Sequence, residues 1–140
     1  MEIQKKVTLV NKLSESERLS KIIEDFAEEK NFSLKFLFEI DVALDEILTN
    51  IVSYAYNDKA EHKILVRLFS LKDGLKIQVE DEGIAFNPLQ KAEPDITKSV
   101  MERPIGGLGI HMVRKLVDEL KYKRENNKNI LTLIKINSST

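Results

Sequence analysis

Apolar residues at even spacing, Ile3, Val7 and Leu9, open the chain and predict a half-buried first strand whose face Lys5 interrupts. The period then lengthens. Leu19, Ile22, Ile23 and Phe26 recur at three- and four-residue intervals and predict a helix capped by Ser14 or Ser16 and ending near Asn31. Ser33 starts a second and longer helix, expected to run to about Tyr56, with Leu37, Ile40, Leu44, Ile47, Leu48, Ile51 and Ala55 turned to the core. From His62 the alternation returns: Ile64, Val66 and Leu68, a turn at Asp73-Gly74, then Leu75, Ile77 and Val79, which together predict an antiparallel hairpin. Residues 82–109 hold four of the five glycines and all three prolines with little periodicity, and predict a long loop of the functional or mobile kind. Val113, Leu116, Val117 and Leu120 mark a further helix, and Tyr122 to Ile136 reads as two strands joined at Asn126-Asn127.

Strands and helices thus come in blocks, with hairpins in place of regular strand-helix-strand units. The expected class is α+β, a two-layer sandwich in which helices cover one face of a mixed sheet. Residues 1–140 are expected to form one domain, with no internal repeat, low-complexity stretch or linker.

Composition narrows the functional classes. With 42% hydrophobic and 32% charged residues the chain has the makeup of a folded soluble protein, and its formal charge of -1 gives no electrostatic reason to expect direct nucleic-acid binding. It contains no cysteine, which excludes disulfides, thiolate metal sites and thiol nucleophiles and suits a reducing compartment, so cytoplasmic residence is expected. Apolar runs never reach the length of a signal peptide or a membrane span, and neither export nor a membrane partner is expected.

Three constellations carry candidate chemistry. Glu46 and Asn50 lie four residues apart and project from one face of the long helix, with Ile47, Leu48 and Ile51 turned to the core between them. A carboxylate and an amide held this way can orient an attacking hydroxyl or hold a hydrated Mg²⁺. Asp81 ends a strong strand and is followed by Gly83, Ala85 and Phe86-Asn87-Pro88. A carboxylate at a strand end can accept a hydrogen bond from the exocyclic amine of adenine, and Gly83 lets backbone and ring approach closely. Gly106, Gly107 and Gly109, with Leu108 between the last two, run straight into a helix whose unpaired N–H groups suit a phosphate.

In this order and spacing, Glu-x-x-x-Asn on a helix, a hairpin ending in Asp-x-Gly, and a long loop closed by Gly-Gly-x-Gly before a helix resemble the N, G1 and G2 boxes of the GHKL (Bergerat-fold) ATPases. The resemblance covers roughly residues 35–137 and is closest to the stand-alone anti-sigma-factor serine kinases. It implies ATP and Mg²⁺ as cofactors, Glu46 as catalytic base, Asn50 as the metal ligand, Asp81 as the reader of adenine, and Gly83, Ala85, Gly107, Leu108 and Gly109 along the nucleotide. Thr132 on the last strand matches a family threonine that contacts adenine beside the aspartate. Arg103 is a candidate for the terminal phosphates, and the loop from Pro88 to Ile105 is expected to close over them.

The implied partners are a sigma factor and a small STAS-type antagonist protein, with a homodimer among the allowed assemblies. Two departures from the family pattern stand out: Tyr54 in place of a common His, and Ala85 in place of a Gly. The implied activity is an ATP-dependent serine/threonine-protein kinase that is also an anti-sigma factor. Its rivals are an ATP-controlled binding module without phosphoryl transfer and the ATPase component of a histidine-kinase system. Neither His62 nor His111 lies where a phosphoacceptor histidine would.

Overall fold

The computed structural model describes residues 4–90 and 107–137. Strand β1 (Lys5–Val10) is followed by helices α1 (Glu15–Ala27) and α2 (Leu34–Tyr54), the hairpin β2 (Lys63–Leu71) and β3 (Gly74–Asp81), helix α3 (Gly107–Leu116), and the hairpin β4 (Glu119–Glu125) and β5 (Lys128–Ile136). Single turns of 3₁₀ helix at Glu28–Lys30 and Pro88–Gln90 complete the described elements.

The strands form one sheet in the order β1-β2-β3-β5-β4. The α+β two-layer class is as expected, but the sheet is antiparallel at every neighbouring pair, where the sequence suggested a mixed one. The reason lies in the last hairpin. The chain returns through α3 so that β4 runs parallel to β3, yet one strand position separates them, and β5 fills that slot antiparallel to both.

Period-two alternation places Val7, Leu9, Ile64, Val66, Leu68, Leu75, Ile77, Val79, Leu131 and Leu133 on one face of the sheet. Leu19, Ile23, Ile40, Leu44, Ile47, Leu48, Ile110 and Val113 of the helices close over them in one buried cluster.

Local chemistry explains most boundaries. Ser33 caps α2, its hydroxyl accepting from the Phe36 N–H at 3.0 Å. Ser14 occupies the N-cap of α1 without a side-chain bond. Ser16, the other candidate cap, instead donates to Asp45 Oδ1 of α2 at 2.8 Å, joining the two helices. Asn31 ends the first helical stretch in the left-handed region at φ 54°. Asn126 and Asn127 both have positive φ, 53° and 62°, as a two-residue hairpin turn of the right twist requires. The helix expected through Leu120 stops at Leu116, and Leu120 belongs to β4.

Candidate functional site

Three elements meet at one end of the core. The C-terminal half of α2 brings Glu46 and Asn50, the end of β3 brings Asp81, and the start of α3 brings Gly107, Leu108 and Gly109. Between them lies a cavity of about 30 Å³, bordered by Asn50, Asp81, Phe86, Ile110, Tyr122 and Asn129. Phe86 and Pro88 of the loop after β3 complete its lining.

Asn50 is 5% exposed, and both its amide nitrogen and its amide oxygen are buried without a hydrogen-bond partner. A buried amide left this way costs roughly 1–3 kcal/mol, and nothing in the packing of α2 recovers it. Four residues earlier, Glu46 lies against α3: a β-carbon added at Gly109 would overlap its carboxyl group. The spacing of four seen in the sequence sets the Glu46 carboxyl against Gly109 of α3, whose N-terminal turn carries the positive end of the helix dipole, and the Asn50 amide on the cavity wall that Ile110 of the same helix also lines.

Asp81 is 5% exposed. Its Oδ1 accepts from the Gly83 N–H at 2.9 Å and from Asn129 Nδ2 at 3.0 Å. Burial raises its pKa above the usual carboxylate value, opposed by the bonds from Asn129 and Gly83 and by the charge of Arg124. The absence of a side chain at Gly83 is required, but by a protein neighbour: a β-carbon would collide with the backbone and side chain of Ala55, the residue that caps α2, whose carbonyl also accepts from Ile84 N–H at 2.8 Å. The loop after β3 is thus stitched to the end of the helix that carries Glu46 and Asn50. Ala85 is an exposed residue of that loop.

Thr132 is not beside Asp81. It pairs with Gln78, three register positions away, and its odd offset from the core residues Leu131 and Leu133 puts it on the sheet face turned away from the helices. Asn129 occupies the position opposite Asp81. Arg103 and most of the segment from Pro88 to Ile105 lie outside the described residues. Tyr54, standing where a histidine is common, stacks on Phe86 with ring centroids 6.0 Å apart. His62 stacks on Tyr56 at 3.9 Å and pairs through Nε2 with Asp58 at 2.6 Å, away from the cavity. His111 is a half-buried residue of α3.

The sequence reasoning missed Asn129, Tyr122 and Arg124. One signal was available for the first: in a strand whose Leu131 and Leu133 face the core, an asparagine two positions earlier must face inward too.

The family description "histidine kinase-like ATPase domain" matches residues 9–135. Serine/threonine-protein kinase BtrW of Bordetella bronchiseptica is 29% identical over 111 residues, covering 79% of this chain and 78% of that protein. Serine-protein kinase RsbW of Bacillus cereus is 32% identical over 110 residues, covering 75% of this chain and 68% of that protein. Among solved structures, the RsbU and RsbW domains of a Mycobacterium tuberculosis protein superpose with a TM-score of 0.64 at 14% identity, over 95% of this chain and 32% of that one. The similarity to that structure is one of fold.

Proposed function

This chain belongs to the histidine kinase-like ATPase domain family, and from that premise we propose that it is an ATP-dependent serine/threonine-protein kinase and anti-sigma factor acting on a small STAS-type antagonist protein. The observation that carries the reading is Asn50, a buried amide with neither polar atom satisfied, on the wall of a cavity that also holds Asp81. A fold keeps such a group at a cost in stability when a ligand supplies the missing partners. The named kinases among the relatives support the direction of the chemistry.

In this reading Asp81 accepts the exocyclic amine of adenine, and the N-terminal turn of α3 donates to the phosphates through backbone N–H groups that the helix itself cannot use. Glu46, set beside that turn, takes the proton of the partner's serine hydroxyl. Asn50 orients the phosphate side of the nucleotide through its amide. Mg²⁺ fits this arrangement: the buried Asn50 oxygen has no hydrogen-bond partner and is a hard donor, and Mg²⁺ characteristically takes only one or two protein ligands together with phosphates and water. The Asn50 oxygen would be such a ligand, and the ion would supply neutralisation of phosphate charge. Catalysis then rests mainly on positioning and charge complementarity.

The test is transfer of label from γ-labelled ATP to candidate antagonist proteins, with Glu46→Gln as the control. The variant should lose about 10²–10⁴ in turnover, the usual contribution of a positioned base, while its ATP affinity stays close to that of the wild type. A wild-type protein that captures its partner in ATP but transfers no label, with Glu46→Gln behaving identically, would leave a nucleotide-controlled binding module in place of the kinase.

A further inference from the structure

The inward face of β5 reads Asn129, Leu131, Leu133, and the amide at its head is 5% exposed. Every hydrogen-bonding position of that amide is used. Its oxygen accepts from Tyr122 Oη at 2.5 Å, from Arg124 Nη1 at 3.1 Å and from the Phe86 N–H at 3.3 Å. Of these three donors Arg124 and the Phe86 N–H can only donate, and they fix which way the amide points, because the flipped form would set an NH₂ group against both. The NH₂ group is thereby committed to the other side, where it donates to Asp81 Oδ1 at 3.0 Å and to the Ile84 carbonyl at 2.8 Å. Arg124 adds a bond to the Gly83 carbonyl at 2.8 Å, tying the edge strand β4 to the same loop.

The consequence falls on Asp81. Its Oδ1 is occupied by Asn129 and Gly83, which restrains the plane of the carboxylate and leaves Oδ2 as the acceptor for a ligand. We infer that Asn129, oriented by Tyr122 and Arg124, is the positioning residue that makes Asp81 a fixed acceptor for the 6-amino group of a purine and so sets the preference for 6-amino over 6-oxo or unsubstituted purines. The inference rests on the nucleotide-binding reading above. It also has an electrostatic side. Burial and the neighbouring Glu80 push Asp81 towards its neutral form, and the nearby Tyr56 hydroxyl feels the Asp81 charge in turn; the bonds from Asn129 and Gly83 and the charge of Arg124 push the other way. A neutral Asp81 would present a proton, which suits a 6-oxo group and not a 6-amino one.

The experiment compares ATP, purine riboside triphosphate, which lacks any 6-substituent, and GTP by titration calorimetry with Mg²⁺, in wild type, Asn129→Leu and Tyr122→Phe. Wild type should prefer ATP to purine riboside triphosphate by about tenfold or more, the scale of a hydrogen bond to a charged group. Asn129→Leu should reduce that ratio to about threefold or less, raise GTP relative to ATP, and shift the acid limb of ATP binding to higher pH. Tyr122→Phe, which removes one donor to the Asn129 oxygen and keeps the ring, should fall between. Retention of the full wild-type ratio by a folded Asn129→Leu protein would overturn the inference. If that variant does not fold by circular dichroism, retention of the wild-type ratio by Tyr122→Phe overturns it instead. A wild type that binds none of the three nucleotides would defeat the nucleotide-binding reading itself.

Discussion

The carboxyl group of Glu46 and the α-carbon of Gly109 lie so close that a side chain of even one carbon at Gly109 would overlap the carboxylate. The glycine's role at this position is therefore room for an acid on the facing helix, and the two motifs that stand 63 positions apart in the chain (109 − 46) are one constellation in space.

That closeness predicts the behaviour of Gly109→Ala. The added methyl group must displace the Glu46 carboxylate, at a cost towards the low end of the about 1–3 kcal/mol of an overpacked contact because the group that moves is the far end of a flexible side chain. Phosphoryl transfer should fall with it, because the base is moved off its position. Combining Gly109→Ala with Glu46→Ala should restore much of the lost stability by removing the overlap, while activity stays absent, and a double-mutant cycle in thermal melts reads the coupling. Strict additivity of the two stability changes would show that the overlap does not govern the site.

The structure makes Lys135 a second test of how α3 is held. It is 8% exposed, lies 3.8 Å from Glu39 of α2, sits 5.7 Å from the Phe36 ring centre, and donates through Nζ to the Leu116 carbonyl at the end of α3. Lys135→Met keeps most of the stem but deletes the charge and the donor, leaving Glu39 and the helix end without their cation. A loss of about 1–3 kcal/mol is expected in chemical denaturation, the cost of stranding a buried partner. A stability change near zero would mean that the lysine acts through its aliphatic stem alone.

Much of this architecture was legible in the chain. Ser33 before an apolar stripe marks the start of α2 and Asn126-Asn127 the turn of the second hairpin, while the first hairpin turns one place earlier than Asp73-Gly74, at Lys72-Asp73, with Gly74 already paired to Leu71 in β3. Local chemistry decides those features, so local reading finds them. The strand order and the partner of Asp81 are different in kind. The register between β3 and β5 joins residues 48 to 62 positions apart, from Asp81–Asn129 (129 − 81) to Gly74–Ile136 (136 − 74), and a slip of one place exchanges the faces of a strand. Thr132 had the right chemistry to stand beside Asp81, but register set Asn129 there instead. Tyr122 and Arg124 become visible only once β4 is known to flank β5 on its outer edge.

Asp81 yields a prediction in which stability and binding move in opposite directions. Burial raises its folded-state pKa above the ordinary 3.8, so protonation favours the folded form. That favourable contribution is present in acid below the unfolded value and is lost as pH rises through the folded value; at neutral pH the carboxylate is a net liability. Asp81→Asn keeps an oxygen for the Gly83 and Asn129 donors and removes the charge. The free protein should melt at or above the wild-type temperature at pH 7, and the advantage should shrink as pH falls through the raised pKa of Asp81. ATP binding should weaken because an NH₂ group replaces an acceptor at the base edge. A marked loss of melting temperature at pH 7 would mean that the charge itself holds this corner of the fold together.

Asn50 carries the sharpest version of the same conflict. Both ends of its amide are buried and unsatisfied, and it sits among Ile47, Ile51 and Ala55 on the cavity wall. Asn50→Leu replaces the amide with an apolar group of nearly the same size, so the desolvation cost disappears without opening a void. The free variant should be more stable by about 1–3 kcal/mol, the cost of the unsatisfied group. The response to nucleotide should invert that order. In the proposed function Mg-ATP would satisfy the amide and should raise the melting temperature of the wild type by mass action; in Asn50→Leu the rise should be largely lost, together with phosphoryl transfer. Melting curves with and without Mg-ATP measure both effects on one protein sample. If Asn50→Leu is instead less stable than wild type when free, Asn50 is a structural residue of α2; if the variant is more stable but still shifts fully with Mg-ATP, the amide is not a ligand to the nucleotide or its metal.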